Sequence, residues 1–224
     1  KINLKEPIKN RMHILLTRQL ENCSDLIIRF KELGHTVSHL PLLNIEEVSY
    51  DHKLFDNCKG IIFTSANAIK FLDIKRINKN IKCFCVGSAT EKKAKNAGFQ
   101  NIISAEGNVR NLRELILQNL EKKTDKILYV SGELVSYDLD KDLIKEGLNV
   151  QRLINYSVSH IEDLSSDFLS SLKKKIPDIV YIYSQNSAVS FLNLIKKYEL
   201  DDYWMKTNLM CIGEKTSSVL NELK

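Results

Sequence analysis

Small hydroxyl residues and glycines stand where short apolar runs of the sequence end and helical patterns begin. These junctions lie at 17–18, 64–65, 87–88, 131–132, 184–185 and 213–214. Gly allows a tight turn, and Ser or Thr can cap the first helical turn. The free N–H groups of such a turn carry partial positive charge and bind carboxylates or phosphates without a lysine. One capped helix start is usually only a cap, but the array predicts a ligand with many anionic groups.

The elements that must position these junctions are short β-rich runs that alternate with amphipathic helical patterns. The predicted strands are 11–17, 36–43, 60–65, 82–87, 101–104, 126–132, 149–158, 178–184 and 208–213. In the helical pattern 23–34, an apolar stripe runs through Leu26, Phe30 and Leu33 and stops at Gly34. Apolar strands joined by helices predict parallel sheets covered on both faces, with ligands bound beyond the carboxyl ends of the strands.

The two halves of the chain repeat each other. ILLTR (14–18) matches ILYVS (127–131), FTSANAIKFL (63–72) matches YSQNSAVSFL (183–192), and CVGSAT (85–90) matches CIGEKT (211–216). The repeat predicts two similar parallel-sheet domains of the flavodoxin or Rossmann-like α/β class. After 90 the first copy continues into a further strand and helix, so we expect the second copy to lack its C-terminal strand.

Composition is that of an ordinary globular protein, with 43% hydrophobic and 27% charged residues among 224. No apolar run approaches the roughly 20 residues of a membrane span, which predicts a cytoplasmic protein with no membrane contact. The net charge of +5 comes without a basic block interleaved with aromatics, so no nucleic-acid partner is expected. The five cysteines show no CxxC or other metal spacing, and we expect no metal site.

Several common chemistries have no motif in this sequence. There is no G-x-G-x-x-G after a strand, no G-x-x-x-x-G-K-[ST] loop and no G-x-S-x-G elbow. The strand at 60–65 also ends without an aspartate, which argues against a phospho-acceptor receiver domain. A dinucleotide site, a P-loop and a serine-hydrolase nucleophile are therefore not expected.

The ordered series of ILLTR, IIFTSANAIKFL, CVGSATEKKAKNAGF, GLNVQRLINYSV, VYIYSQNSAVSFL and CIGEKTSSVL resembles the uroporphyrinogen-III synthase family over almost the whole chain. The resemblance implies two α/β domains joined by a two-stranded β-ladder linker. One domain would combine 1–41 with 158–224, and the other would be 48–150. The linker strands would be 42–47 and 151–157.

The resemblance also implies a reaction. A cyclising lyase of haem biosynthesis would close the linear tetrapyrrole hydroxymethylbilane, with inversion of ring D and loss of water. Neither a cofactor nor a metal would be used. The small-molecule substrate carries acetate and propionate arms, which suits an array of helix starts. The resemblance further implies a monomer that contacts the preceding pathway enzyme transiently.

Tyr156 matches the tyrosine that the family places in its cleft, which implies a catalytic role at the departing hydroxyl. A phenol is neutral at pH 7 and can donate a proton. The alternative is that Tyr156 is a packing residue of a linker strand. The resemblance assigns substrate contacts to Thr17, Arg18, Ser65, Thr90, Ser131, Ser184, Ser187, Lys215 and Thr216.

Two rival functions remain open at this stage. The first is a non-catalytic two-lobed binder of a small polyanionic ligand. The second is a nucleotide- or sugar-phosphate transferase on the same fold, although the Gly-rich loop that such an enzyme needs is absent. An assay that scores the cyclised isomers separates these alternatives from the synthase.

Overall fold

The structure, a computed structural model, describes residues 11–120 and 123–223. These residues form strands β1 to β10, which are His13–Leu16, Thr36–His39, Leu43–Glu47, Gly60–Phe63, Lys82–Val86, Asn101–Ala105, Ile127–Gly132, Val150–His160, Ile179–Ile182 and Asn208–Cys211. Helices α1 to α9 are Ser24–Glu32, Ala66–Lys70, Ser88–Asn96, Val109–Asn119, Leu139–Lys145, Ser166–Lys174, Gln185–Lys197, Asp201–Trp204 and Glu214–Val219. Short 3₁₀ turns occupy Leu20–Asn22, His52–Phe55, Ile74–Arg76 and Leu220–Leu223.

The chain divides into two compact units by its internal contacts. The central unit is Ile45–Val158, and the terminal unit contains the residues up to Asn44 together with those from Ser159 onward. The predicted domain boundaries, 1–41 with 158–224 and 48–150, stay a prediction. The role of 42–47 and 151–157 as linker strands stays a prediction.

The sheet of the central unit has the strand order β3-β8-β7-β4-β5-β6. Its neighbours from β8 to β6 all pair in parallel. The chain runs from β4 outward to β6 on one side, and then returns to place β7 and β8 on the other side. The direction of winding therefore reverses between β4 and β7, which is the place where open parallel sheets bind ligands.

Apolar side chains of the central unit alternate between two cores, one on each face of the sheet. Ile61 and Phe63 pack in one cluster, whereas Ile62 and Phe84 pack in the other. This alternation is the two-residue period of a strand that is buried on both faces. The sheet therefore presents its strand ends, and not its faces, to a ligand.

The terminal unit repeats this plan on a smaller scale. Its sheet has the order β10-β9-β1-β2, and every neighbouring pair is parallel. Leu15 and Val180 pack on one face, and Ile14 and Leu16 pack on the other. Here the winding reverses between β1 and β9, so the matching position in the repeat is again a switch point.

The outer edge of β10 borders a groove of about 610 Å³ in the terminal unit. Its lining includes Trp204, Leu209 and Cys211. Cys211 is half-buried, whereas the other four cysteines of the chain are buried. Only α9 and a 3₁₀ turn follow β10 in the described residues, and the further strand that the repeat predicts stays a prediction.

The structure confirms the α/β class with parallel sheets and corrects one predicted strand. The run 36–43 forms two strands, β2 and β3, instead of one. Pro41 lies between them and has no N–H group to donate to a sheet neighbour. None of the helices in the described ranges combines the length and apolar character that crossing a bilayer requires.

Candidate functional site

The carboxyl ends of β4 and β7 form the switch point of the central unit. Thr64 follows β4, and its hydroxyl lies 3.0 Å from the hydroxyl of Tyr129 in β7. Burial raises the pKa of Tyr129, with the Thr64 hydrogen bond acting in the opposite direction. A neutral, buried phenol thus ties the two strands together directly below the strand ends.

Ser65 begins the helix that leaves this switch point. Its backbone is extended and its hydroxyl accepts a hydrogen bond from the Asn67 N–H at 3.2 Å, so it is the N-cap of α2. The cap uses an acceptor position of the hydroxyl and leaves its proton free to be donated elsewhere. The side chain is half-buried, and a role in holding a substrate carboxylate stays a prediction.

Ser131 is buried near the end of β7, and its hydroxyl accepts a hydrogen bond from a neighbouring arginine. Arg152 of β8 donates from Nε to the Ser131 hydroxyl at 2.9 Å. The same guanidinium donates from one terminal nitrogen to the carbonyls of Gly132 at 2.7 Å and Glu133 at 2.8 Å. The predicted ligand Ser131 thus supports Arg152, which brings a positive charge to the end of β7.

Tyr156 lies beside the same end of β7. It is 8% exposed, and its backbone carbonyl accepts a hydrogen bond from the Glu133 N–H at 2.9 Å. The ring stacks on Phe71, with centroids 6.3 Å apart and an angle of 29° between the planes. Tyr156 therefore combines a packed ring with a position beside the β7 strand end.

The ends of β1 and β9 form the switch point of the terminal unit. The Thr17 hydroxyl donates to the carbonyl of Tyr181 across these two strands and is buried. Arg18 is exposed, and its guanidinium carbon lies 4.7 Å from the ring centroid of Tyr183 at the end of β9. A cation held over an aromatic face is oriented without losing its charge, so Arg18 can attract an anion at this switch point.

Ser184 and Ser187 act together at the start of α7. The Ser184 hydroxyl accepts from the Ser187 N–H at 3.1 Å, and the two hydroxyl oxygens are 2.8 Å apart. Ser184 is half-buried and Ser187 is buried. Sequence reasoning selected both residues, and the structure joins them in one capping unit.

The repeated glycine junctions share one unusual backbone conformation. Gly87 has φ 83° and ψ 144°, and Gly213 has φ 82° and ψ 158°, each directly before a helix. Only glycine adopts this region readily. Thr90 and Thr216, three residues after these glycines, are both buried. The side chain of Lys215 lies outside the described part of the chain.

Sequence reasoning missed three residues near these strand ends, and it placed a fourth, Gly132, at a junction without giving it a role. Arg152 and Asn155 come from β8, Gly132 ends β7, and Tyr183 follows β9. Burial raises the pKa of Tyr183, whose hydroxyl is buried without a hydrogen-bond partner. The only sequence signal for Arg152 was a basic residue within an apolar run, and Asn155 was visible only as a polar residue beside Tyr156.

Metal ligands do not gather in the described residues. No group of three or more His, Cys, Asp and Glu side chains there is arranged to hold a metal ion. The arrangement at both switch points consists instead of hydroxyls, phenols, an arginine and helix starts. Such groups bind and orient anions and can donate protons.

Solved structures with similar folds come from two bacteria. A mutant uroporphyrinogen III synthase from the extremely thermophilic bacterium Thermus thermophilus superposes with a TM-score of 0.60 at 14% identity, covering 95% of this chain and 89% of that one. A uroporphyrinogen-III synthetase from Helicobacter pylori gives a TM-score of 0.61 at 19% identity, with 95% and 89% coverage. At these identities the likeness shows a shared fold.

Sequence comparison adds the family. A curated relative, the porphyrin biosynthesis protein HemD of Ruminiclostridium josui, is 24% identical over an alignment of 220 residues. The alignment covers 91% of this chain and 42% of the relative. The chain thus spans about two fifths of that relative's length. The family model described as uroporphyrinogen-III synthase HemD matches residues 24–224. The chain therefore belongs to the uroporphyrinogen-III synthase HemD family.

Proposed function

We propose that this chain is a uroporphyrinogen-III synthase, a lyase that cyclises hydroxymethylbilane with inversion of ring D and loss of water. The observation that carries the proposal is the family match, which extends over residues 24–224 and includes the switch point of the central unit. The reaction belongs to haem biosynthesis. A cytoplasmic monomer that meets the preceding pathway enzyme only transiently is part of the same proposal.

Tyr156 is the proposed catalytic residue. Its phenol donates a proton to the terminal hydroxyl of the substrate, the carbon–oxygen bond breaks, and water leaves. The methylene carbon left by the water attacks ring D at the α-carbon that already carries the bridge to ring C. That bridge bond then breaks and re-forms at the free α-carbon of ring D, which inverts the ring. The newly bonded α-carbon releases one proton, which restores the phenol. The stoichiometry is the loss of one water, and no electrons are transferred. The position of the Tyr156 ring, directly against Gly132 at the end of β7, supports this role.

Substrate carboxylates are proposed to bind at the strand ends. In the terminal unit these contacts come from Arg18 and the Ser184–Ser187 cap, and in the central unit from Ser65. Four of the predicted contact residues are buried, namely Thr17, Thr90, Ser131 and Thr216. We therefore propose that they mainly shape the strand ends and that only their accessible atoms contact the substrate. Lys215 remains a proposed contact from its sequence position alone. Orientation by many such contacts can lower the barrier to an intramolecular closure by roughly 7–11 kcal/mol.

The test is an assay of the purified chain with freshly prepared hydroxymethylbilane. Uncatalysed closure proceeds without inversion, so the products are oxidised and the isomer III and isomer I porphyrins are separated by chromatography. We expect isomer III to predominate only with the protein present. A chain that binds the substrate and yields isomer I alone would instead be a non-catalytic polyanion binder.

Two tyrosine-to-phenylalanine variants test the catalytic role of Tyr156. We expect Tyr156→Phe to lower the rate of isomer III formation tenfold or more, which corresponds to about 1.4 kcal/mol. Tyr198→Phe is the matched control, because Tyr198 lies at the opposite end of α7 from Ser184, about 20 Å along the helix. Equal rates for the two variants would remove Tyr156 from the mechanism.

A further inference from the structure

The pairing of β7 with β8 is interrupted by a bulge immediately before Tyr156. Ser131 pairs with Ile154, but the next residue, Gly132, pairs with Tyr156, so Asn155 has no partner in the register. One extra residue on one strand is the definition of a β-bulge, which bends the strand and can redirect a side chain. Here the redirected side chain is that of Tyr156.

The bulge decides which face of the sheet Tyr156 occupies. Val150 packs in the core on one face, and Leu153 packs in the core on the other. Strict alternation would send Tyr156, six residues after Val150, to the face of Val150. Tyr156 instead packs in the same core as Leu153. Without the bulge its ring would leave this core and the stack on Phe71.

Asn155 fixes the bulge to the helix that leaves the switch point. Its side-chain amide donates from Nδ2 to the carbonyl of Ala68 in α2 at 2.7 Å. Its backbone carbonyl accepts from the Val48 N–H at 2.9 Å, and the residue is 0% exposed. The bulge is therefore held from two sides, and one of those contacts is to the helix that Ser65 caps.

Gly132 provides the space that the redirected ring occupies. A Cβ atom added there would lie 2.6 Å from Cε2 and 2.7 Å from Cζ of Tyr156, and neither distance is compatible with carbon–carbon contact. By contrast, a Cβ added at Gly60 in β4 of the same sheet would meet its nearest atoms at 3.6 Å, an ordinary contact. The Tyr156 ring thus rests directly on bare backbone at the end of β7.

We propose that Gly132 and Asn155 are positioning residues that set the Tyr156 ring at the strand end for the ring closure. The catalytic part of this inference rests on the function proposed above. Asn155 directs the Tyr156 ring to the correct face of the sheet through the bulge. Gly132 leaves room for this ring at the end of β7, where Arg152 binds the strand carbonyls. Neither residue needs to touch the substrate.

Steady-state kinetics of the full chain test the effect on catalysis. We expect Gly132→Ala to lower kcat for isomer III at least tenfold and to change KM less than threefold, because the substrate-binding groups remain. Gly60→Ala, the matched control, should keep kcat within twofold. A Gly132→Ala enzyme with wild-type kcat, or one whose loss lies wholly in KM, overturns the proposal.

Fluorine NMR tests the positioning without reference to activity. The chain has eight tyrosines, and labelling with 3-fluorotyrosine gives a signal for Tyr156 that disappears in Tyr156→Phe. We expect Gly132→Ala and Asn155→Ala to shift this signal, while the other tyrosine signals hold their places and report an intact fold. Gly60→Ala should leave the Tyr156 signal unmoved. An unmoved signal in both Gly132→Ala and Asn155→Ala overturns the proposal.

A double variant covers the case in which Gly132→Ala does not fold. In a Tyr156→Ala background the ring is absent, so Gly132→Ala should fold and melt within about a degree of Tyr156→Ala alone. An equal loss of thermal stability in both backgrounds would refute the steric account. A wild-type chain that forms no isomer III would refute the proposed function, whereas the fluorine and melting results would still decide the positioning.

Discussion

Replacing Arg152 by lysine separates the shape of the side chain from its charge. The guanidinium makes three hydrogen bonds, to the Ser131 hydroxyl and to the carbonyls of Gly132 and Glu133. A lysine ammonium keeps the positive charge but lacks the planar fork that reaches several acceptors at once. We therefore expect Arg152→Lys to weaken the end of β7 without changing the net charge.

The magnitude follows from the contacts that are lost. A hydrogen bond to a charged group contributes about 1.5–3 kcal/mol when it is shielded from water. Arg152 is half-exposed, so each bond counts for less, and one of the three can be kept by lysine. The hydroxyl of Ser131, which is 1% exposed, would also lose its donor. Together these terms predict a loss of about 1–3 kcal/mol in the local free energy of opening.

Native-state hydrogen exchange measures this loss where it occurs. The amides of β7 should exchange faster in Arg152→Lys by the factor that corresponds to this free energy. Arg110→Lys is the matched control, because Arg110 is an exposed arginine of the same unit. Equal protection of β7 in both variants would show that the Arg152 fork does not stabilise the strand end.

Three further predictions concern the elements around the strand ends. Gly87→Ala should lower the free energy of unfolding in urea by about 1–3 kcal/mol through backbone strain alone, since no atom lies within 4 Å of the added Cβ; Gly60→Ala should show no such strain. Ser184→Ala should lower the free energy of unfolding by about 0.5–2 kcal/mol, because α7 loses its N-cap. The fluorescence of Trp204 measures this loss, since its ring centroid is 5.0 Å from that of Phe191 in α7. Burial lowers the pKa of His13 below its ordinary 6.5. The contribution of His13 to stability is therefore present above pH 6.5 and is lost as the pH falls. In urea titrations at acid pH, His13→Asn should make the free energy of unfolding depend less steeply on pH.

The fold was accessible from sequence because its elements are marked locally. Alternating apolar strands and amphipathic helices predicted the parallel sheets, and the internal repeat predicted two similar halves. Strand order was not accessible, because the neighbours β4 and β7 are brought together only by contacts between distant parts of the chain. The break at Pro41 was overlooked because leucines stand directly on both sides of the proline, at 40 and at 42–43.

The candidate site was accessible only where a residue type acts through its local backbone. Ser65 and Ser184 are N-caps, and a serine before a helical pattern indicates a cap from sequence alone. The roles of Arg152, Gly132 and Asn155 were not accessible, because they depend on the register of β8 against β7; for Gly132 the sequence indicated only its place at a junction. A shift of one residue in that register moves every following side chain to the other face of the sheet. No pattern in this sequence predicts such a shift.

The unequal burial of the cysteines makes the chain suitable for labelling at one chosen position. Cys211 lines the groove beside β10, while the other thiols are enclosed in the cores. Burial raises its pKa, so alkylation should be slow at neutral pH and accelerate in mild alkali, where more thiolate is present. A fluorophore attached there would sit two residues before the Gly213 turn and would report ligand arrival at the terminal unit while Tyr156 and its supports stay unmodified.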